Sequence, residues 1–270
     1  MAKTVFITGA SSGFGKASAK LFQQKGWNVV ATMRNPATGT ELTGSPNLLL
    51  AALDVQDPTS ITRSVQQAVD RFGSIDVLVN NAGYGLIGVF ESASNEEIRQ
   101  QFAVNVFGLM DVTRAILPHM RRQKGGTIIN ISSVGGMVGL PFGSFYNSSK
   151  FAVEGFSEAL SHEVSPFHIT VKIIEPGGVD TNFRNSIRMI KNEIPEYDPF
   201  AGALVQRYLQ TTAHLTKATA EDVAATIYQA ATDNAARLRY VVGADAQFYI
   251  DTKLKNKDEV FVQKIRGYFL

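Results

Sequence analysis

The sequence predicts an α/β fold built on a doubly wound parallel sheet of about seven strands, and two observations carry that prediction. Short, nearly continuous apolar runs such as TVFI, NVVATM and GTIINI alternate with longer stretches of helical period. Strands of that kind, apolar on both faces, belong to parallel sheets covered by helices on both sides. No repeat, low-complexity tract or linker interrupts the alternation before residue 180.

The elements can be justified in order. KTVFI is a first strand, followed by the glycine-rich TGASSGFG and a helix to about Gln24. NVVATM and LLLAAL are the second and third strands. DPTSITRSVQQAVDRF opens with Asp57 as N-cap and Pro58 at the first helical position, a helix-start signature. DVLVN is the fourth strand, and SNEE (94–97) fits a capping box that opens a long helix over about 95–120. GTIINIS is the fifth strand, a helix spans about 145–164, and ITVKIIE is the sixth. TAED (219–222) opens a further helix, and RYVVG closes as the seventh strand. Residues 1–270 are read as a single domain. Within it, residues 182–216 break the rhythm: the segment is long, carries two prolines and is rich in Phe, Tyr, Ile and Leu, as expected of a substrate lid.

Composition narrows the chemistry. The chain has 270 residues, 44% hydrophobic and 19% charged, with a net charge of +2, a balance that points to no nucleic-acid or membrane-surface partner. The basic stretch KLKNKDEVFVQKIRGYFL reads as a solvated helix face. With no cysteine, disulfides, thiol catalysis and thiolate metal sites are excluded. His119, His162, His168 and His214 are scattered without ligand spacing, so no metal site is expected. The first residues read directly into a strand and no apolar run approaches membrane-spanning length, so a cytoplasmic location is the expectation.

Two stretches carry the chemistry. TGASSGFG lies after strand one, where open α/β sheets bind ligands. Gly9 permits a tight turn, Gly13 lets the backbone approach a pyrophosphate, and Gly15 allows close helix-to-strand packing, while the helix N-terminus offers N–H donors. In FYNSSKFAVEGFSEAL, Tyr146 and Lys150 stand four apart and so share one helix face. An ammonium beside a phenol favours the phenolate. Lowering a tyrosine by three units takes roughly 4 kcal/mol, however, more than one exposed ammonium supplies. A second positive charge or a closed site is needed; without either, the pair is an incidental feature of a surface helix.

The glycine spacing and the Tyr-x-x-x-Lys helix together resemble the classical short-chain dehydrogenase/reductase family, in its hydroxysteroid/retinol-dehydrogenase-like branch. Further markers stand in order: Asp54 and Val55 in LDV, NNAG (80–83), Asn105 in NVFG, Ser133 in ISS thirteen residues before Tyr146, and PGGVDT (176–181). Singly, each could be an ordinary structural residue; as a set they resemble the family from residue 4 to about 181. The resemblance implies a Rossmann-type fold. It implies catalytic roles for Asn105, Ser133, Tyr146 and Lys150. It implies cofactor contacts at Gly9, Ser11, Ser12, Gly13, Phe14, Gly15, Asp54, Val55, Asn81, Ala82, Gly83, Tyr146, Lys150, Pro176, Gly177, Val179 and Thr181. The second positive charge is then the oxidised nicotinamide.

Cofactor choice turns on the end of strand two. An acid there would accept from a ribose 2′-OH, whereas a nearby arginine suits a 2′-phosphate. The sequence has Met33 and then Arg34, with no acid between Gly26 and Thr40. NADP(H) is therefore expected over NAD(H). The expected substrate is a hydrophobic carbonyl or alcohol, walled by Val134–Gly143, the loop after Gly177 and the lid. A homodimer or homotetramer through the helices at 95–120 and 145–164 is implied by the resemblance. Competing readings are a non-catalytic dinucleotide sensor, which typically lacks the Tyr/Lys/Ser set, and an epimerase or dehydratase, whose glycine turn is spaced differently.

Overall fold

The computed structural model describes residues 2–42, 45–179 and 187–269. Seven parallel strands form one sheet: β1 (Thr4–Ile7), β2 (Asn28–Met33), β3 (Leu48–Ala52), β4 (Val77–Asn80), β6 (Gly126–Ile131), β7 (Ile169–Pro176) and β9 (Arg239–Val242), in the order β3-β2-β1-β4-β6-β7-β9. All seven expected strands are present. The order reverses between β1 and β4, both of which pair with parallel register, and the crevice at that switch point is where such sheets accept ligands.

Helices cover both faces because the strands are apolar on both. On one face α1 (Gly13–Gln24) and α7 (Ala220–Thr232) place Ala19, Phe22, Val223 and Ile227 against Val5, Ile7, Val29 and Val79. On the other, α2 (Pro58–Phe72), α4 (Leu109–Gln123) and α5 (Ser144–Val164) bring Ile61, Val65, Val112, Ile116 and Leu160 against Phe6, Val30, Leu78 and Ile128. The local start signals act as read. Asp57 accepts from the Thr59 amide at 2.9 Å, and complete capping boxes at Ser94/Glu97 and Thr219/Asp222 open α3 (Asn95–Phe102) and α7.

Three features depart from the sequence reading. The long helix is not regular: α3 passes into a π-helical stretch, Ala103–Gly108, before α4. A second, two-stranded sheet pairs β5 (Gly85–Ile87) with β8 (Ile187–Met189). Both strands have only three residues, too short for a period to register. The C-terminal stretch is only half a solvated face. It forms α9 (Asp258–Phe269), whose Phe261, Ile265 and Phe269 are buried with Val134, Val138 and the Tyr249 and Ile250 of the preceding α8 (Ala244–Leu254).

The 182–216 segment is described from residue 187. After β8 come a short turn and α6 (Asp198–Thr212). This segment is tied to the stretch after β4 by Ser92 Oγ to Asn192 Oδ1 at 3.1 Å, Tyr197 Oη to Glu91 Oε1 at 2.6 Å and the Arg188–Glu97 ion pair at 3.4 Å. Ile190 packs with Leu86 and Phe145.

Candidate active site

The glycine turn is shaped by two backbone demands. Gly9 sits at φ +68°, where an added Cβ would meet the Ala82 Cα at 2.9 Å. Gly15 packs so closely that a Cβ would lie 2.4 Å from the Gly9 carbonyl oxygen and 2.5 Å from the Asn81 amide nitrogen. Gly13 is the opposite case: nothing lies within 4 Å of its Cβ direction, so the turn leaves open space there. Ser12 precedes α1 without capping it, and the first turn carries no acid. An open glycine at an uncapped helix start fits a pyrophosphate. Ser11 and Ser12 are exposed and Phe14 is half-buried against the core.

Asn81 and Ala82 hold this turn rather than standing clear of it. The Asn81 side chain donates to the carbonyls of Thr8 (2.9 Å) and Gly9 (3.0 Å), and the amides of Asn81 and Ala82 both donate to Thr8 Oγ1. Both amide protons of Asn81 are thereby committed to the protein. Asn80, one residue earlier, bonds to Asn130 and Thr113 in the interior. Asp54 accepts from the Gln56 amide at 3.0 Å, and Val55 is buried against Gly108. Met33 is buried and Arg34 exposed at the end of β2.

The catalytic candidates converge at the carboxyl end of β6. Lys150, 7% exposed, donates from Nζ to the Ile131 carbonyl at 2.8 Å and lies 5.8 Å from the Tyr146 ring centre. Ser133 is extended, and its Oγ accepts from the Gly135 amide at 3.0 Å, which leaves the hydroxyl proton to be donated. A Cβ on Gly135 would lie 3.4 Å from Tyr146 Cε1 and 3.5 Å from Ser133 Oγ, so phenol and hydroxyl share one corner. Asn105, 1% exposed in the π-helical stretch, donates to the Tyr84 carbonyl (2.9 Å) and Ser149 (3.2 Å) and accepts from the Tyr84 amide (3.0 Å). Gly83 lies between Asn105 and Lys150.

Burial dominates the electrostatics. It holds the Tyr146 phenol above its ordinary value, with the Ser133 hydroxyl pulling the other way. In the protein by itself burial outweighs the Ser133 bond, and the phenol is held in its neutral form. Burial also pushes Lys150 down to about 8, against the pull of the Glu154 carboxylate.

On the far side of the site, Pro176 ends β7, the Gly177 amide donates to the Val242 carbonyl, and the Gly178 amide donates to Asp245 Oδ2 at 2.6 Å. Val179 packs partly on the core, and Thr181 lies outside the described residues. Part of the expected substrate wall is elsewhere: Val134 and Val138 point into the cluster under α8 and α9. Next to Tyr146 in sequence, Phe145 stacks on the exposed Phe90 at 5.2 Å, and Met189 on β8 and Phe200 on α6 are likewise more than half exposed. Glu154, Glu175 and Asp245, all buried near the site, carry no motif and were missed by sequence reading.

No helix among the described residues is long and apolar enough to cross a membrane, and no group of three or more His, Asp or Glu among them could hold a metal ion.

Comparison with known proteins gives the family and agrees with the fold. Residues 3–192 match the short chain dehydrogenase family. A 3-ketodihydrosphingosine reductase of Bacteroides thetaiotaomicron is 45% identical over 182 residues, which are 67% of this chain and 66% of that protein. A short-chain dehydrogenase from Streptomyces avermitilis superposes with a TM-score of 0.85 at 35% identity, covering 94% of this chain and 93% of that one. ElxO with NADP bound superposes with a TM-score of 0.76 at 28% identity, over 89% and 98% of the two chains.

Proposed function

The chain belongs to the short chain dehydrogenase family of oxidoreductases, and on that premise we propose that it transfers a hydride between NADP(H) and a hydrophobic carbonyl or alcohol. The observation that carries this reading is the convergence of Ser133, Tyr146 and Lys150 beside an open, uncapped glycine turn at the switch point of the sheet.

When bound, the nicotinamide supplies or accepts the hydride. The residues of this chain do the rest. Gly9, Gly13 and Gly15 would shape the cradle for the pyrophosphate, Asp54 and Val55 would hold the adenine, and Pro176, Gly177 and Val179 would contact the nicotinamide end. Lys150 would supply a positive charge beside the phenol and bind the ribose hydroxyls. In the reductive direction Ser133 donates to the carbonyl oxygen, and Tyr146 passes its proton to that oxygen as negative charge develops there. Arg34, with no acid near it in sequence, suits a 2′-phosphate through its planar donor fork. The substrate class is supported by the exposed apolar side chains Phe90, Met189 and Phe200 and by the name of the Bacteroides relative, a 3-ketodihydrosphingosine reductase. Phe107 and Phe151, exposed on the two long helical stretches, support assembly into a homodimer or homotetramer across those faces.

The test is NADPH and NADH oxidation in parallel against a panel of hydrophobic ketones and aldehydes. Tyr146→Phe is expected to lose turnover by about a hundredfold or more with cofactor affinity kept. Retention of more than about a tenth of the rate removes the proton-donor role. Arg34→Ala is expected to weaken NADPH about tenfold or more and NADH little; equal effects on both would overturn the NADP assignment.

A further inference from the structure

Behind Lys150 lies a second group of buried ionisable side chains. Glu154 follows Lys150 by one turn of α5, and Glu175 is the penultimate residue of β7, just before the Pro176–Gly177 loop. Both are buried, at 5% and 1% exposure. One guanidinium serves them: Arg239 on β9 donates from Nε to Glu154 Oε2 at 2.9 Å and lies 3.5 Å from Glu175 Oε1. Its other arm is taken by the more exposed Glu158, at 2.6 Å. Oε1 of Glu154 and Oε1 of Glu175 are both buried without a hydrogen-bond partner, as is Ser132 Oγ at the end of β6. Gly136 keeps this corner open, since a Cβ there would lie 2.5 Å from Ser132 Oγ and 3.1 Å from Glu154 Cγ.

Two buried carboxylates facing one shared cation cannot both ionise cheaply. A proton between them satisfies both orphaned oxygens and removes the excess charge. We propose that Glu154 and Glu175 hold one proton in common, and that this acid pair is a positioning element for Lys150, setting how far up the pH scale the lysine stays charged.

The direction follows from the charges that face the pair. These are Arg239 and Arg237 from the β9 side, and Lys150 and Glu158 from α5. Burial and the Glu154 charge push Glu175 up to about 7, with Arg239 pulling down. Below neutrality the pair carries one negative charge; above it, two. The added charge falls on the pair, whose Glu154 member stands one turn from Lys150, and it helps hold the lysine's proton on, opposing the burial that lowers it. As the two equilibria are coupled, their midpoints belong to the group as a whole.

The role for Lys150 in turnover rests on the function proposed above, so the decisive measurements use the cofactor-free protein. Infrared spectra are expected to show a protonated carboxyl band at about pH 6 that is lost by about pH 8.5, and Glu175→Gln should abolish that band. In a lysine-selective NMR titration, Glu175→Gln fixes the pair at one charge and should lower the Lys150 midpoint by about half a pH unit or more. Glu154→Gln, which removes the nearer charge, should lower it further. The alkaline limb of turnover should move with that midpoint, and its movement separates this role from a merely structural one. Absence of a carboxyl band titrating near neutrality overturns the proposal, as does a Lys150 midpoint indifferent to both variants. Failure to reduce any carbonyl, with band and midpoint behaving as stated, would instead refute the proposed function alone.

Discussion

Two lysines in this molecule are almost equally buried, and their surroundings make them opposites. Lys150, 7% exposed, has the Ile131 carbonyl as its hydrogen-bond acceptor and faces the corner shared by Tyr146 and Ser133. Lys172, 2% exposed on β7, donates to Asp233 Oδ1 and to Tyr240 Oη at 3.1 Å, and Tyr240 in turn donates to Asp233 Oδ2 at 2.7 Å. Burial pushes the Asp233 carboxyl up, but the bonds from Lys172, Tyr240 and the Ala235 amide outweigh it and bring it down to about 2. A buried ammonium closed by its own carboxylate is a structural member. One bonded to a neutral carbonyl, with its nearest carboxylate a turn away, has a proton affinity near the working pH and donors left for a ligand.

The comparison breaks or sharpens on four variants. Lys150→Met is expected to reduce turnover by about a hundredfold or more, with a stability change within about 1 kcal/mol, since one bond to a carbonyl is lost and a desolvated charge removed. Lys172→Met should do the reverse. It leaves a carboxylate short of its cation and should cost about 3 kcal/mol in urea unfolding, with kcat per folded molecule within about twofold of wild type. If both variants lose turnover alike, the distinction fails.

The third is acid sensitivity. Asp233 has its folded value depressed, so its contribution is complete above the ordinary aspartate value and is lost as pH falls toward about 2. Asp233→Asn should therefore be less stable by about 1–2 kcal/mol at pH 7, with the difference from wild type vanishing in acid-unfolding curves near pH 2. The smallest effect is expected from Tyr240→Phe, about 1 kcal/mol, because the lysine–aspartate bond survives it. An equal loss from Tyr240→Phe and Lys172→Met would show that the hydroxyl, not the ion pair, holds the network.

Legibility followed the range of the interactions. All seven strands of the main sheet could be read because each is an apolar run bounded by its own turn or cap. Asp57, Ser94 and Thr219 announced their helices because capping is completed within three residues. Tyr146 and Lys150 could be paired because one helical turn brings them together. The β5–β8 sheet was invisible, since each strand is three residues long and its partner lies a hundred positions away. The C-terminal helix was misread as a solvated face. Its charges are dense, and its apolar residues Phe261, Ile265 and Phe269 bury only where Val134, Val138 and Tyr249 meet them.

The same division holds for the site. From the sequence alone follow the doubly wound sheet, the glycine turn at its switch point and the placing of Tyr146 and Lys150 on one helix face, all set by local spacing and by one strand-to-helix junction. Tertiary structure decided the rest. It committed the Asn81 and Asn105 amides to partners within the protein, sent Val134 and Val138 into the cluster under α8 and α9, and placed Glu175 and Arg239 around Glu154, one turn from Lys150. Burial and charge at a buried group depend on what packs against it from other elements, and no spacing along one chain segment encodes that.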